Sequence, residues 1–142
     1  MFAQQNGFRI LDHTADVGLE ASGADLAELF TNTARGMFSI IVSLETVQPG
    51  KRFPLELTAD NPENLLLNWL GELLYLSSAR QLVFSRFDIA EIDSRHLVAR
   101  AAGEPIDQSR HVLHTEIKAV TYHDLKVQEL DQGWIARVLF DV

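Results

Sequence analysis

The chain has 142 residues, the length of one ordinary domain, and its 46% apolar and 23% charged content excludes a disordered or collagen-like polymer. Twelve Lys and Arg against twenty Asp and Glu leave a net charge of −8, so stable direct nucleic-acid binding is not expected as the main activity. A cation or a basic protein surface is the more natural partner. The absence of cysteine removes disulfide scaffolds, thiolate zinc sites and cysteine nucleophiles together.

A single domain is expected over residues 1–142. No signal peptide is expected, because Met1 to Ile10 lacks a charged start followed by an apolar run. The longest apolar run, Leu73 to Leu76, falls far short of the roughly 20 residues of a membrane span. A cytoplasmic protein without membrane contact is the expectation.

In chain order, Phe8 and Ile10 alternate, as do Val17, Leu19 and Ala21, which predicts two short strands. A helix follows from Asp25, with Leu26, Leu29, Phe30, Met37, Ile40 and Ile41 at helical spacing. Asp25 and Glu28 form an N-terminal capping pair, and Gly36 inside the pattern implies close packing. This helix fades near Val42 to Leu44, and Pro49-Gly50 marks a turn. Phe53, Leu55 and Leu57 give another strand.

The second helix has the stronger start: Asn61 caps, Pro62 takes the first position and Glu63 complements the dipole. Leu65, Leu66, Trp69, Leu70, Leu73, Leu74 and Leu76 make a wide apolar stripe that ends near Arg80. Runs from Val83 to Ile92 and from His96 to Ala101, separated by Asp93-Ser94, predict a hairpin. Gly103-Glu104-Pro105 opens a loop reaching about Ser109. Strands are then expected over Val112 to Thr121, Leu125 to Leu130 and Trp134 to Val142, with a tight turn at Asp131-Gln132-Gly133. The sum is an α+β fold: two layers, a largely antiparallel sheet of about eight strands, and two helices packed on one face.

Two polar runs are candidates for chemistry. Asp12-His13-Thr14-Ala15-Asp16-Val17-Gly18 offers two carboxylates and an imidazole at a turn, although such residues also satisfy turn backbones routinely. Glu116-Ile117-Lys118-Ala119-Val120-Thr121-Tyr122-His123-Asp124 alternates so that Glu116, Lys118 and Tyr122 share a face, which an ordinary half-solvated strand also explains. The five histidines form no compact zinc pattern, and no phosphate-loop, dinucleotide or hydrolase-elbow motif occurs. In the last strand Trp134, Ala136, Val138, Phe140 and Val142 point one way and Asp141 the other, beside the terminal carboxylate. Were the Asp16 loop to lie beside that end, three anionic groups would converge, and a hard cation such as Mg²⁺ or Ca²⁺ would neutralise them.

The Asp12–Gly18 run, the Glu116–His123 run and the closing Val138-Leu139-Phe140-Asp141-Val142 together resemble the archease family. Ala34-Arg35-Gly36-Met37-Phe38 in the first helix is similar to the family's stretch at that place. The resemblance extends from about Phe8 to Val142 with the motifs in family order. It implies an α+β fold and a non-enzymatic accessory role. The family promotes guanylylation and turnover of an RtcB-type RNA ligase in tRNA splicing and RNA repair. It further implies a divalent metal ion, calcium or magnesium, held by Asp16, Asp141 and Val142, with Lys118 contacting a phosphate or the partner. Two other readings are compatible with the same residues. One is a stand-alone metal-dependent phosphoester hydrolase with His13 or His123 as general base; the other is a chaperone-like modulator of RNA-modifying enzymes.

Overall fold

The structure, a computed structural model, describes residues 7–12 and 16–142. His13, Thr14 and Ala15, the centre of the first polar run, lie outside the described residues. The elements are β1 (Phe8–Asp12), β2 (Asp16–Gly23), α1 (Leu26–Ile41), a 3₁₀ turn (Leu44–Thr46), β3 (Lys51–Thr58), α2 (Pro62–Arg80), β4 (Leu82–Ile92), β5 (His96–Pro105), β6 (Ala119–Leu130) and β7 (Gly133–Asp141).

Both helices begin where their caps require. Asp25 Oδ1 accepts the Glu28 N–H at 2.8 Å, and the Ala24 N–H donates to Glu28 Oε1 at 2.9 Å. Asn61 Oδ1 accepts the Asn64 N–H at 2.8 Å, with Pro62 in the first turn behind it. The second helix stops at Gln81, whose φ of 54° turns the chain left-handed into β4. Gly36 serves close packing: a Cβ there would lie 2.6 Å from Leu19 Cδ1 and 3.1 Å from Phe8 Cγ.

The α+β class and the antiparallel pairing agree with the sequence, but the strands divide between two sheets. Among the described residues seven strands form a four-stranded sheet, β1-β2-β7-β6, and a three-stranded sheet, β3-β5-β4. Each helix touches both sheets instead of lying on one face of a single one: α1 lies against β1, β2, β7 and β4, and α2 against β6, β3, β4 and β5. The core between them holds Leu19, Phe38, Trp69, Phe84 and Phe140, all fully buried. The Trp69 indole N–H donates to the Phe30 carbonyl at 3.1 Å, tying α2 to α1, and its ring meets Phe87 edge-on at 6.2 Å.

The second half departs from the expected strands in one region. Residues 112–118 are not in a strand; the ladder starts only at Ala119. The reason is the end of α1, whose orphan carbonyls need donors. The His114 N–H bonds the Ile41 carbonyl at 2.8 Å and the Thr115 N–H bonds Ile40 at 3.1 Å, while the Ser43 N–H bonds the Val112 carbonyl at 2.8 Å. Beyond this, the two strands expected up to Thr121 and from Leu125 are one strand with a bulge. The pairing jumps from Thr121↔Leu139 to Lys126↔Arg137, and Asp124 takes a φ of 57° within the bulge. Among the described residues no helix is long and apolar enough to cross a membrane.

A register shift in β4 between Phe84 and Arg86 brings backbone over Gly103 of β5. A Cβ at Gly103 would collide with the Val83 carbonyl oxygen and lie 2.8 Å from Phe84 Cα. Gly103→Ala should therefore destabilise the protein by about 1–3 kcal/mol. Gly71→Ala on α2, where nothing lies within 4 Å, should stabilise it by about 0.5–1 kcal/mol. Urea denaturation of the two variants measures both signs.

Candidate functional site

Strand β7 lies between β2 and β6, and its register with both neighbours builds the site. Asp16 stands directly opposite Asp141, and Asp141 opposite Ala119. Residues opposed in an antiparallel pair share a face, with Cβ atoms about 4.5–5.5 Å apart. One residue back, Val17, Phe140 and Val120 form the neighbouring row, whose Phe140 is fully buried. Alternation then turns Asp16 and Asp141 to the other face. The two carboxylates therefore come together because Phe140 must be inside. Like charges directly opposite each other are destabilising, and a cation held between them would relieve that repulsion.

Lys118 is joined to this pair through its main chain. Its N–H donates to the Asp141 carbonyl at 2.7 Å, lengthening the β6–β7 ladder by one residue. Its exposed side chain lines a cleft of about 400 Å³ with Leu67, Gly71 and Tyr75 of α2. Among the described residues the ammonium forms no ion pair, with Asp141 or any other carboxylate. Tyr122 turns the same way, its hydroxyl donating to Asn64 Oδ1 at 2.7 Å. Ile117 is buried in the core, although its segment lies outside the ladder. Val142 follows Asp141, half-buried against the core.

Among the described residues no group of three or more His, Cys, Asp or Glu side chains is placed to hold a metal. The facing pair Asp16 and Asp141 is thus a two-carboxylate donor set of hard oxygens. That chemistry fits an ion of the magnesium or calcium type; magnesium in particular is commonly held by one or two carboxylates, with water and ligand phosphates completing the shell. His123, one of the two alternative general bases, sits in the β6 bulge with Nε2 3.6 Å from Asp124 Oδ2 and bonds neither Asp16 nor Asp141. The other, His13, lies outside the described residues.

Among the described residues another charge cluster lies elsewhere, around Glu104, and sequence reading missed it. Glu104, expected to open a loop, still belongs to β5. Its carboxylate accepts Arg110 Nη1 and Nη2 at 2.9 and 2.6 Å, the Gln48 N–H at 2.7 Å and His111 Nε2 at 2.8 Å. The buried His111 ring accepts the Asp107 N–H on Nδ1 at 2.9 Å, which leaves the proton on Nε2 for Glu104. Hydrogen bonds from Arg110, then from Gln48 and His111, hold the Glu104 carboxyl well below the usual carboxylate range. Every donor is internal, so this is a latch fastening residues 105–111 to the strand. The available signal was spacing: Glu104, Asp107 and Arg110 recur at intervals of three, with His111 adjoining.

A family model described as the Archease protein family matches residues 8–142. The archease of Methanosarcina mazei is 37% identical over 146 aligned positions that span 100% of both chains. That of Pyrococcus furiosus is 35% identical across 92% of this chain and 95% of its own. The solution structure of Methanobacterium thermoautotrophicum protein 1598 superposes with a TM-score of 0.84 at 35% identity, covering 97% of this chain and 100% of that one. A Thermotoga maritima protein described as an archease and possible chaperone shares the fold, with a TM-score of 0.63 at 22% identity over 93% of this chain and 94% of that one.

Two expectations follow. Asp141→Asn should raise the stability of chelator-treated protein by roughly 0.2–1 kcal/mol by relieving the like-charge pair. It should also lose any rise in melting temperature produced by Mg²⁺ or Ca²⁺ in the parent, as thermal scans with and without metal will report. For the latch, a depressed folded pKa makes the contribution of Glu104 complete above its ordinary value of 4.5 and withdraws it as the pH falls toward the folded value. Glu104→Gln should therefore be less stable at neutral pH, and should lose less stability than the parent between about pH 5 and pH 2 in urea titrations.

Proposed function

The chain belongs to the archease family, and on that premise we propose that it is a non-catalytic accessory factor of an RtcB-type RNA ligase. It promotes transfer of the guanylyl group from GTP to the ligase and sustains repeated turnover in tRNA splicing and RNA repair. The observation that carries this reading is the pairing of Asp16 with Asp141. Two facing carboxylates at the ends of two inner strands have the chemistry to hold a divalent ion while leaving coordination positions for a second molecule.

In this proposal Asp16, Asp141 and Val142 hold a calcium or magnesium ion. When bound, that ion would neutralise triphosphate charge, as divalent ions do in nucleotidyl transfer. The chain's own residues do the rest. The buried β7 row fixes the carboxylates in place. Lys118, whose ammonium has no internal partner among the described residues, contacts a phosphate or an acidic group of the ligase. The net charge of −8 steers the domain toward a basic, RNA-binding surface, a contribution that weakens as salt rises.

Guanylylation of an RtcB-type ligase by GTP, with this protein at sub-stoichiometric amounts, tests the proposal. Multiple-turnover stimulation should be lost with Asp16→Ala and with Asp141→Ala, and reduced with Lys118→Ala, while circular dichroism of each variant stays unchanged. Full stimulation by Asp16→Ala protein would falsify the metal-centred reading.

A further inference from the structure

An open cleft of about 570 Å³ lies where the end of α1 meets the 3₁₀ turn, within the size range of small-molecule sites. It shares no residue with the Asp16–Asp141 pair, and the inference drawn from it does not rest on the ligase reading. Phe8, Arg35, Ser43, Leu44, Glu45 and His114 contribute to its walls.

Arg35 is the anomaly. Its side chain is half-buried, yet among the described residues it has neither a hydrogen bond nor an ion pair. A partly desolvated guanidinium normally finds a partner, because leaving water without one is costly. The helix dipole does not account for it, since the last turn of α1 contains no basic residue. Glu45 lines the same cleft, is exposed and is likewise unpaired, so the two opposite charges face one space without neutralising each other.

The remaining polar groups have defined roles. Ser39 donates its hydroxyl proton to the Gly36 carbonyl at 2.7 Å, and Ser85 donates to Val47 at 3.0 Å. With those protons spent, both hydroxyls offer the cleft only lone pairs. Ser43 Oγ and His114 Nε2 are bonded to each other at 2.8 Å. The cleft thus presents a strong cationic donor at Arg35, a set of acceptors at Glu45, Ser39 and Ser85, and apolar surface at Phe8 and Leu44.

We propose that this cleft binds a nucleoside monophosphate, with its phosphate on Arg35 and the N–H groups of its base on the Glu45 carboxylate. A planar guanidinium matches phosphate with two parallel hydrogen bonds, and a carboxylate accepts from the exocyclic and ring N–H groups of a base. The Phe8 ring supplies an aromatic surface for the base.

Titration of ¹⁵N-labelled protein with GMP, followed by amide chemical shifts, tests this directly, with guanosine and inorganic phosphate as separate probes. Saturable shifts at Arg35, Ser43, Glu45 and His114 are expected, with GMP binding more tightly than either fragment. Arg35→Gln and the surface variant Glu45→Ala should each weaken GMP binding about tenfold or more, the loss expected for one charge-assisted contact. No saturable shift at millimolar GMP, or GMP affinity unchanged in Glu45→Ala, would overturn the proposal. Inorganic phosphate binding as tightly as GMP would overturn the nucleotide assignment.

Discussion

The insertion of β7 between β2 and β6 is the constraint on which the rest of the molecule depends. Because β-strand side chains alternate with a period of two, sliding β7 by one residue would expel Ala136, Val138 and Phe140 from the core and drive Asp141 into it. Burial of a large apolar side chain is worth about 1.5–3 kcal/mol, whereas an opposed like-charge pair costs roughly 0.2–1 kcal/mol. The core term wins by a wide margin. Asp16 and Asp141 are therefore held face to face by packing on the opposite side of the sheet, and their mutual repulsion is too weak to shift the register.

The two sheets are joined by the helices, and the segment after β5 joins the helices to the site. Glu104, Arg110 and His111 fasten the start of that segment. Hydrogen bonds to the Ile40 and Ile41 carbonyls carry it across the end of α1. It finishes with Lys118 bonded to Asp141. A stretch without regular secondary structure is thus fixed at three places by hydrogen bonds. This explains how an irregular segment can set the position of a lysine beside the paired aspartates.

Much of this architecture was legible in the sequence because its causes are local. Asp25 and Asn61 announce the helices through capping chemistry, and the Asp93-Ser94 turn announces the β4–β5 hairpin. The alternation from Trp134 onward gives β7 and the outward direction of Asp141. What could not be read depends on partners distant in sequence. Residues 112–118 leave the strand pattern because helix carbonyls some seventy residues earlier need donors. The division into two sheets is decided by which faces Leu29, Phe38 and Trp69 cover, and period-two patterns do not contain that information. The Asp16–Asp141 pairing is of the same kind: either residue alone is an ordinary acidic residue beside a strand, and only the register makes them a pair. The family resemblance supplied that pairing in advance; the physics of the isolated segments did not.

The strand order carries a consequence for how the molecule is made. A polypeptide emerges from the ribosome with its N-terminus first, at about 5–20 residues per second. The three-stranded sheet, β3-β5-β4, is complete once Pro105 has emerged, but β2 waits for a neighbour that arrives only with Gly133–Asp141. The paired carboxylates therefore come into being only after Asp141 has emerged. An interrupted chain, however well its first sheet has folded, presents no assembled acidic pair. The placement of one strand thus acts as a quality gate, because only molecules translated through β7 can offer that pair to another molecule.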